Sequence, residues 1–398
     1  MQTHAMMVRY FTLLIILCLD ILTAVTCALN VASEVHCNFI VRPSESESCD
    51  DIHRCSIRAG CGITLSQFIN NDWTSDNRCN DTKLIFSAGI YGLDSELVVE
   101  NVHSFSMFAW PGSSSKVVIT CNHNARFKFS NISSVTVSGL EFIGCFDNYM
   151  ISVDNFHIES SGFFGNGRAI DNGTVIRIEK STASLNRVVF LSMLNFTLDL
   201  DNNCTTSTMD RVTGILLKRS TIIITQSCFE GNNIGHAGAI TYDEFGSDII
   251  IFNTTFVNNS ATMCSTDNCS FVGGIVHISK SHNMIMSIVK IYHSKFVQNN
   301  GGTAIILTFG VKMQVSNSKF INNTVLRVLY AKNTSLSINH SDLVGNKNLA
   351  TIEIIRGTII TINHVKLINN AGSYGILVVS DTTLVTVTVD FLIMLQVL

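Results

Sequence analysis

A short phrase, repeated at a nearly constant step, constrains this chain more than any other feature. A Ser, Thr or other small residue, one spacer, Phe, two spacers and Asn recur along the chain. The copies are Phe163 with Asn166, Phe229 with Asn232, Phe256 with Asn259, Phe296 with Asn299 and Phe320 with Asn323. Leu replaces Phe at Leu343 with Asn346 and at Leu367 with Asn370, whereas Phe142 and Phe190 keep the aromatic and lose the Asn. From Phe296 the steps to Phe320, Leu343, Leu367 and Phe391 are 24, 23, 24 and 24 residues. Two longer steps, 39 and 40 residues, end at Phe229 and Phe296. They are what a coil carrying an inserted loop produces, and the insertions are placed at 198–210 and 262–269.

Between the phrases lie short runs rich in Val, Ile and Thr with a period near two, such as 221–225, 248–253, 358–363 and 383–390. That period marks strands. A unit of about 24 residues with two or three short strands cannot enclose a core, so it must stack on its neighbours. The sequence therefore predicts an all-β chain, a right-handed parallel β-helix of roughly 11 coils. A β-sandwich with regularly spaced strands would not keep one phrase at a 23–24 residue step.

Each repeated residue then has a task. Phe142, Phe163, Phe190, Phe229, Phe256, Phe296, Phe320, Leu343, Leu367 and Phe391 point inward as one stacked column. Asn166, Asn232, Asn259, Asn299, Asn323, Asn346 and Asn370 sit where the chain leaves the strand and pair from coil to coil as a ladder. Glycines near the following strand, including Gly238, Gly273, Gly274, Gly301 and Gly302, permit tight bends or close backbone approach.

An open stack exposes strand edges unless a cap covers them. The stretch 29–83 reads as a Cys-rich N-terminal cap with a short helix at 63–73, and the coils run from 84 to 398. The apolar tail 384–398 reads as an unfinished coil, because Phe391 keeps the step, and the natural chain is expected to continue past it. Residues 1–28 read as a signal peptide: Arg9 precedes an apolar run at 10–24, followed by small residues near Ala28. That run is interrupted and too short for a membrane span, so no transmembrane segment is expected in this chain.

Thirteen cysteines, five of them (Cys37, Cys49, Cys55, Cys61, Cys79) in one short stretch, suit an oxidising compartment. Their intervals of 11, 5, 5 and 17 residues are not zinc-like, and no metal or other cofactor is expected. Cys264 and Cys269 are expected to close a small disulfide in the inserted loop. Asn-x-Ser/Thr acceptors occur at Asn80, Asn131, Asn172, Asn195, Asn203, Asn253, Asn258, Asn268, Asn322, Asn333 and Asn339. The chain is thus expected to be a secreted glycoprotein. Hydrophobic residues make up 46% and charged ones 14%, which excludes a disordered chain. A net charge of −4 without a Lys/Arg block removes the footprint of a nucleic-acid binder.

The pattern Phe229, Asn232, Gly238-Ala239-Ile240, repeated as Phe256, Asn259, Gly273-Gly274-Ile275, resembles the repeats of the chlamydial polymorphic outer membrane proteins. The opening coils around Val117–Cys121 and 138–145 look more like the right-handed β-helix proteins of sponges and other simple animals. Both fall in the pectin-lyase-like superfamily, and the resemblance covers 84–398. It implies adhesion for the bacterial case, although the C-terminal barrel of that family is absent from this sequence.

Many right-handed β-helices cleave polysaccharides with a recognisable catalytic set. The nearest approximations are Asp50-Asp51, Gly235-His236-Ala237 and Arg177-Ile178-Glu179-Lys180, which lie out of order. Glycoside hydrolysis needs two facing carboxylates, and no acid pair recurs one coil apart. Asp199, Asp201, Asp243 and Glu244 read as solvated loop acids. His236, His277, His293, His340 and His364 read as surface or turn residues. The expected function is therefore a non-enzymatic β-solenoid for adhesion, recognition or matrix structure, with an extracellular glycan or protein as ligand. The alternative is a polysaccharide lyase or glycoside hydrolase with a diverged site.

Overall fold

The computed structural model describes residues 36–43, 62–70, 79–111, 116–122, 125–165, 174–191, 213–232, 238–242, 246–261, 275–278, 287–382 and 384–394. The chain is a right-handed parallel β-helix: among the described residues, 32 strands join through parallel pairings, each to the strand one coil away. Right-handedness is what the twist of L-residue strands imposes on parallel crossovers. The signal stretch 1–28, both inserted loops and most of the Cys-rich stretch lie outside the described residues.

Most described coils contribute three strands, and so the solenoid has three faces. The first carries strands such as Thr221–Thr225, Asp248–Phe252, Ile288–Tyr292, Lys312–Ser316 and Ser335–Asn339. The second carries the three-residue Phe strands Cys228–Glu230, Thr255–Val257, Lys295–Val297 and Lys319–Ile321. Longer strands form the third, among them Thr174–Glu179, Thr213–Lys218, Ala304–Phe309 and Arg327–Lys332. Period-two patterning explains the core directly. In Ile288–Tyr292 the inward Val289 and Ile291 are buried while Ile288, Lys290 and Tyr292 are only partly so.

The corners follow an equally simple rule. A left-handed residue ends one strand, and the next residue turns inward. Asn253, His293, Asn317 and His340 have φ near 50°, followed by buried Thr254, Ser294, Ser318 and Ser341. Asn258, Gln298 and Asn322 precede buried Asn259, Asn299 and Asn323 in the same way. Asn tolerates this conformation better than most residues, which is why it crowds the corners. At Gly301, φ is +76° and a Cβ would meet the Ala261 carbonyl oxygen at 2.0 Å, so the close approach of neighbouring coils admits only glycine.

Three sequence expectations need correction. The coils do not start at 84: His36–Val41, inside the expected cap, already pairs in register with Asp81–Phe86. Its alternation, with Cys37, Phe39 and Val41 buried, is that of an ordinary rung. The cap helix is shorter than expected, Leu65–Asn70, and opens with Thr64 and Gln67 exchanging backbone–side-chain hydrogen bonds. Such a capping box sets the first turn. Finally, Phe391 does not fall opposite Leu367. The register pairs Leu367 with Leu392 and Phe391 with the outward Lys366, because the last step is 25 residues rather than 24 already from Ile359, which lies opposite Leu384.

Candidate functional site

The predicted Phe positions meet in one interior column. Phe142, Phe163, Phe190, Phe229, Phe256, Phe296 and Phe320 stack with successive ring centroids 4.6–5.1 Å apart. Buried Leu343 and Leu367 continue it. The long steps leave the stacking intact: Phe190 lies 4.6 Å from Phe229, and Phe256 lies 4.7 Å from Phe296. The extra residues of the two long steps therefore do not interrupt the column. Tyr91 and Ile119 extend the column toward the N-terminus, with the Tyr91 hydroxyl donating to the Val41 and Ser87 carbonyls.

The asparagines form a second line beside the first. The Nδ2 of Asn232, Asn259, Asn299, Asn323 and Asn346 donates to the Oδ1 of the next Asn, ending at Asn370, over 2.8–3.0 Å. The same Oδ1 accepts the backbone N–H of the preceding Asn. Each Nδ2 also reaches back to the carbonyl of the previous column residue, as Asn299 does to Phe256 at 3.0 Å. Every polar atom of the Asn259, Asn299, Asn323 and Asn346 carboxamides is thereby engaged, which is what their burial requires. Asn166 lies outside the described residues.

Two features escaped the sequence reading. The small residue before Phe is a ladder of its own: Ser294 Oγ accepts the Thr254 N–H and donates to the Tyr292 carbonyl, and Ser318 and Ser341 repeat the pattern. Its signal, a Ser or Thr two residues before Phe163, Phe229, Phe256, Phe296 and Phe320, stood in the phrase all along. Where the phrase loses its Asn, Cys145 occupies the position and bonds Cys121 on the preceding coil, Cα atoms 4.9 Å apart. A second disulfide joins Cys37 to Cys79. Cys264 and Cys269 lie outside the described residues.

Of the glycan acceptors, Asn80, Asn131, Asn253, Asn258, Asn322 and Asn333 are exposed and Asn339 is partly so. Asn131, Asn253, Asn258, Asn322 and Asn333 occupy left-handed corners, so these sequons coincide with the corner rule above. Asn172, Asn195, Asn203 and Asn268 lie outside the described residues, as do Asp50, Asp51, Asp199, Asp201, His236, Asp243 and Glu244.

With the interior given over to packing, chemistry is left to the outer faces. On the third face, the outward residues of successive coils form a charged and aromatic cluster. Lys128, Tyr149 and Arg177 are register partners, one per rung. The Arg126 and Arg177 guanidinium carbons each lie 5.2 Å from the Tyr149 ring centre. Arg126 pairs with Glu96 at 2.7 Å, and Lys128 with Glu100 at 2.8 Å. Arg177 Nε is shielded from water and has no hydrogen-bond partner among the described residues. Farther along the same face, outward Leu307 and Tyr330 are buried with Ala304 and Phe309 in a second apolar cluster.

Several carboxylates of these faces act as ion-pair partners. Hydrogen bonds from Lys128 and Ser130 hold the Glu100 carboxyl below its ordinary range, the reverse of what a general acid requires. Glu141 pairs with Lys116, Asp342 with Lys319 and Glu353 with Arg327. Arg177 and Glu179 stand two apart on one strand. His340 and His364 stack at a corner, centroids 4.8 Å apart, and His293 lies edge-on to Phe252. Among the described residues no three His, Cys, Asp or Glu converge as a metal site. No helix there is long and apolar enough to cross a membrane.

No family model and no curated protein matches the chain. Solved structures do. The Streptococcus pneumoniae surface protein and adhesin PfbA is 13% identical over 78% of this chain and 91% of its own, with a TM-score of 0.38. The Dettilon tailspike protein is 11% identical over 75% of this chain and 62% of its own, with a TM-score of 0.34. Pectate lyase Pel9A is 10% identical over 85% of this chain and 78% of its own, with a TM-score of 0.28.

Proposed function

We propose that the protein is a non-enzymatic, secreted or cell-surface β-solenoid that serves adhesion, recognition or matrix structure. Its ligand is an extended extracellular glycan or protein laid along the outer rungs. The observation that carries this reading is the Arg126–Tyr149–Arg177 stack. It combines a flat aromatic body with guanidinium forks, a pairing suited to sugar rings and to acidic or amide groups. The two described disulfides and the exposed acceptor asparagines fit an extracellular setting.

The test is binding of the secreted full chain to a broad glycan and matrix-protein panel, and to cells. Binding that weakens about tenfold or more in an Arg126→Gln, Arg177→Gln double variant supports the reading. No ligand on the panel and no cell binding overturns it. New reducing ends or unsaturated products from acidic polysaccharides would instead establish a lyase or hydrolase.

A further inference from the structure

The charge on this chain is divided along the solenoid. Residues 287–398 contain nine Lys and Arg against four Asp and Glu, whereas the rest contains 17 against 26. A net charge of −4 conceals this division. On the second face of the basic part, register pairing sets Lys295, Lys319, Asp342 and Lys366 in a single outward column. The three lysines are exposed. Lys295 lies directly opposite Lys319, and like charges so placed repel unless something neutralises them. The Asp342 carboxylate is 3.7 Å from Lys319, a distance at which an exposed pair is weakly held.

Two residues along each strand runs a second outward column: Val297, Ile321, Val344 and Ile368. All four are half-buried, so an aliphatic ridge lies beside the cationic one. Exposed Gln298 and Asn369 border it at the corner. No outward aromatic lies on the second-face strands that carry these columns, which lack the stacking platforms of a single-stranded nucleic-acid binder.

We infer that this strip, Lys295, Lys319 and Lys366 beside Val297, Ile321, Val344 and Ile368, binds an acidic polysaccharide lying along the solenoid axis. Carboxylate or sulfate groups meet the lysines, and the C–H faces of the sugar rings lie on the aliphatic ridge. Rungs about 4.8 Å apart offer contacts at intervals close to the length of one sugar unit. Asp342 interrupts the cationic column and lowers its affinity. The inference rests on the recognition reading above and names a separate seat, on another face, with its ligand class.

The experiment measures retention of the full chain on dextran sulfate, polygalacturonate and uncharged dextran over a salt gradient. Every protein carries Thr324→Ala, which removes the acceptor sequence at Asn322 beside the strip. Salt-sensitive binding to either polyanion, with none to dextran, is expected, and their ranking separates sulfate from carboxylate recognition. Lys295→Gln, Lys319→Gln and Lys366→Gln together should weaken it about tenfold or more, and Asp342→Asn should strengthen it. A charge-matched control, Lys83→Gln with Lys180→Gln and Arg219→Gln, should leave most of the affinity. Circular dichroism and melting curves establish that each variant is folded.

An equal loss in the control, no gain from Asp342→Asn, or equal affinity for duplex DNA overturns the inference. Binding to cells or neutral glycans without polyanion binding overturns it while leaving the recognition reading in place. Failure of every ligand overturns both.

Discussion

Phe256 lies between Phe229 and Phe296 with centroids 4.7 Å away on both sides, and its side chain is fully buried. Truncating it removes both contacts and opens a cavity that rigid neighbouring rungs cannot close. Phe256→Ala should therefore cost about 3–5 kcal/mol in denaturant unfolding; a loss below about 1 kcal/mol would show that the column is not packed. Asn299 presents a different chemistry at a similar depth. Asn299→Ala strands the Asn259 N–H and carboxamide and the Phe256 carbonyl without that partner. The expected cost is about 2–4 kcal/mol, with Asn299→Leu no better, since shape does not replace the missing acceptor. At Cys228, burial pushes the thiol pKa up and Glu230 adds to it. Cys228 should alkylate at neutral pH more slowly in the native protein than in the unfolded chain, as mass spectrometry of the peptide can read.

A single strand is too short to hold its place, so its stability comes from the rung on either side. In the first coils the Cys121–Cys145 bond does what the Asn ladder does later. It closes 24 residues of chain, and replacing both cysteines by Ser should cost about 3 kcal/mol. The Lys128 and Ser130 bonds to Glu100 tie two rungs of the third face. Because the folded carboxyl has the lower pKa, its contribution is present above the unfolded pKa and is lost as pH falls through the folded one. The gap in urea midpoint between the wild type and Glu100→Gln should thus shrink on acidification, from the ordinary carboxylate range downward. A gap that widens would contradict the assignment.

Over the whole molecule, each coil touches only its neighbours, so stability is graded along the axis. The inward Val385 and Val387 of the last described strand are 41% and 43% exposed, whereas Phe256 and Phe296 are sealed. Native-state hydrogen exchange should find the strongest protection at Thr255–Val257 and Lys295–Val297 and the weakest at Leu384–Met394. Uniform protection would mean that the stack opens as one cooperative unit. The same gradation explains what was legible beforehand. A phrase kept at a constant step names the column and the Asn ladder, since both depend on one residue type at one position. The outer cluster of Arg126, Tyr149 and Arg177 follows no repeated phrase: a Tyr stands between two Arg, and the three lie 23 and 28 apart. Only the register of the rungs brings them together.

The sequence by itself determined the solenoid and the identity of its inward residues from Phe142 to Leu367. Periodicity carries those properties, because every coil must solve the same packing problem. The tertiary structure decided the remainder: that rungs begin at His36, that Cys145 bonds Cys121, that Leu392 rather than Phe391 lies opposite Leu367, and which outward side chains share a column. These depend on register between segments 21–45 residues apart. A one-residue shift in a strand turns its side chains to the other face, and the local pattern does not report such a shift.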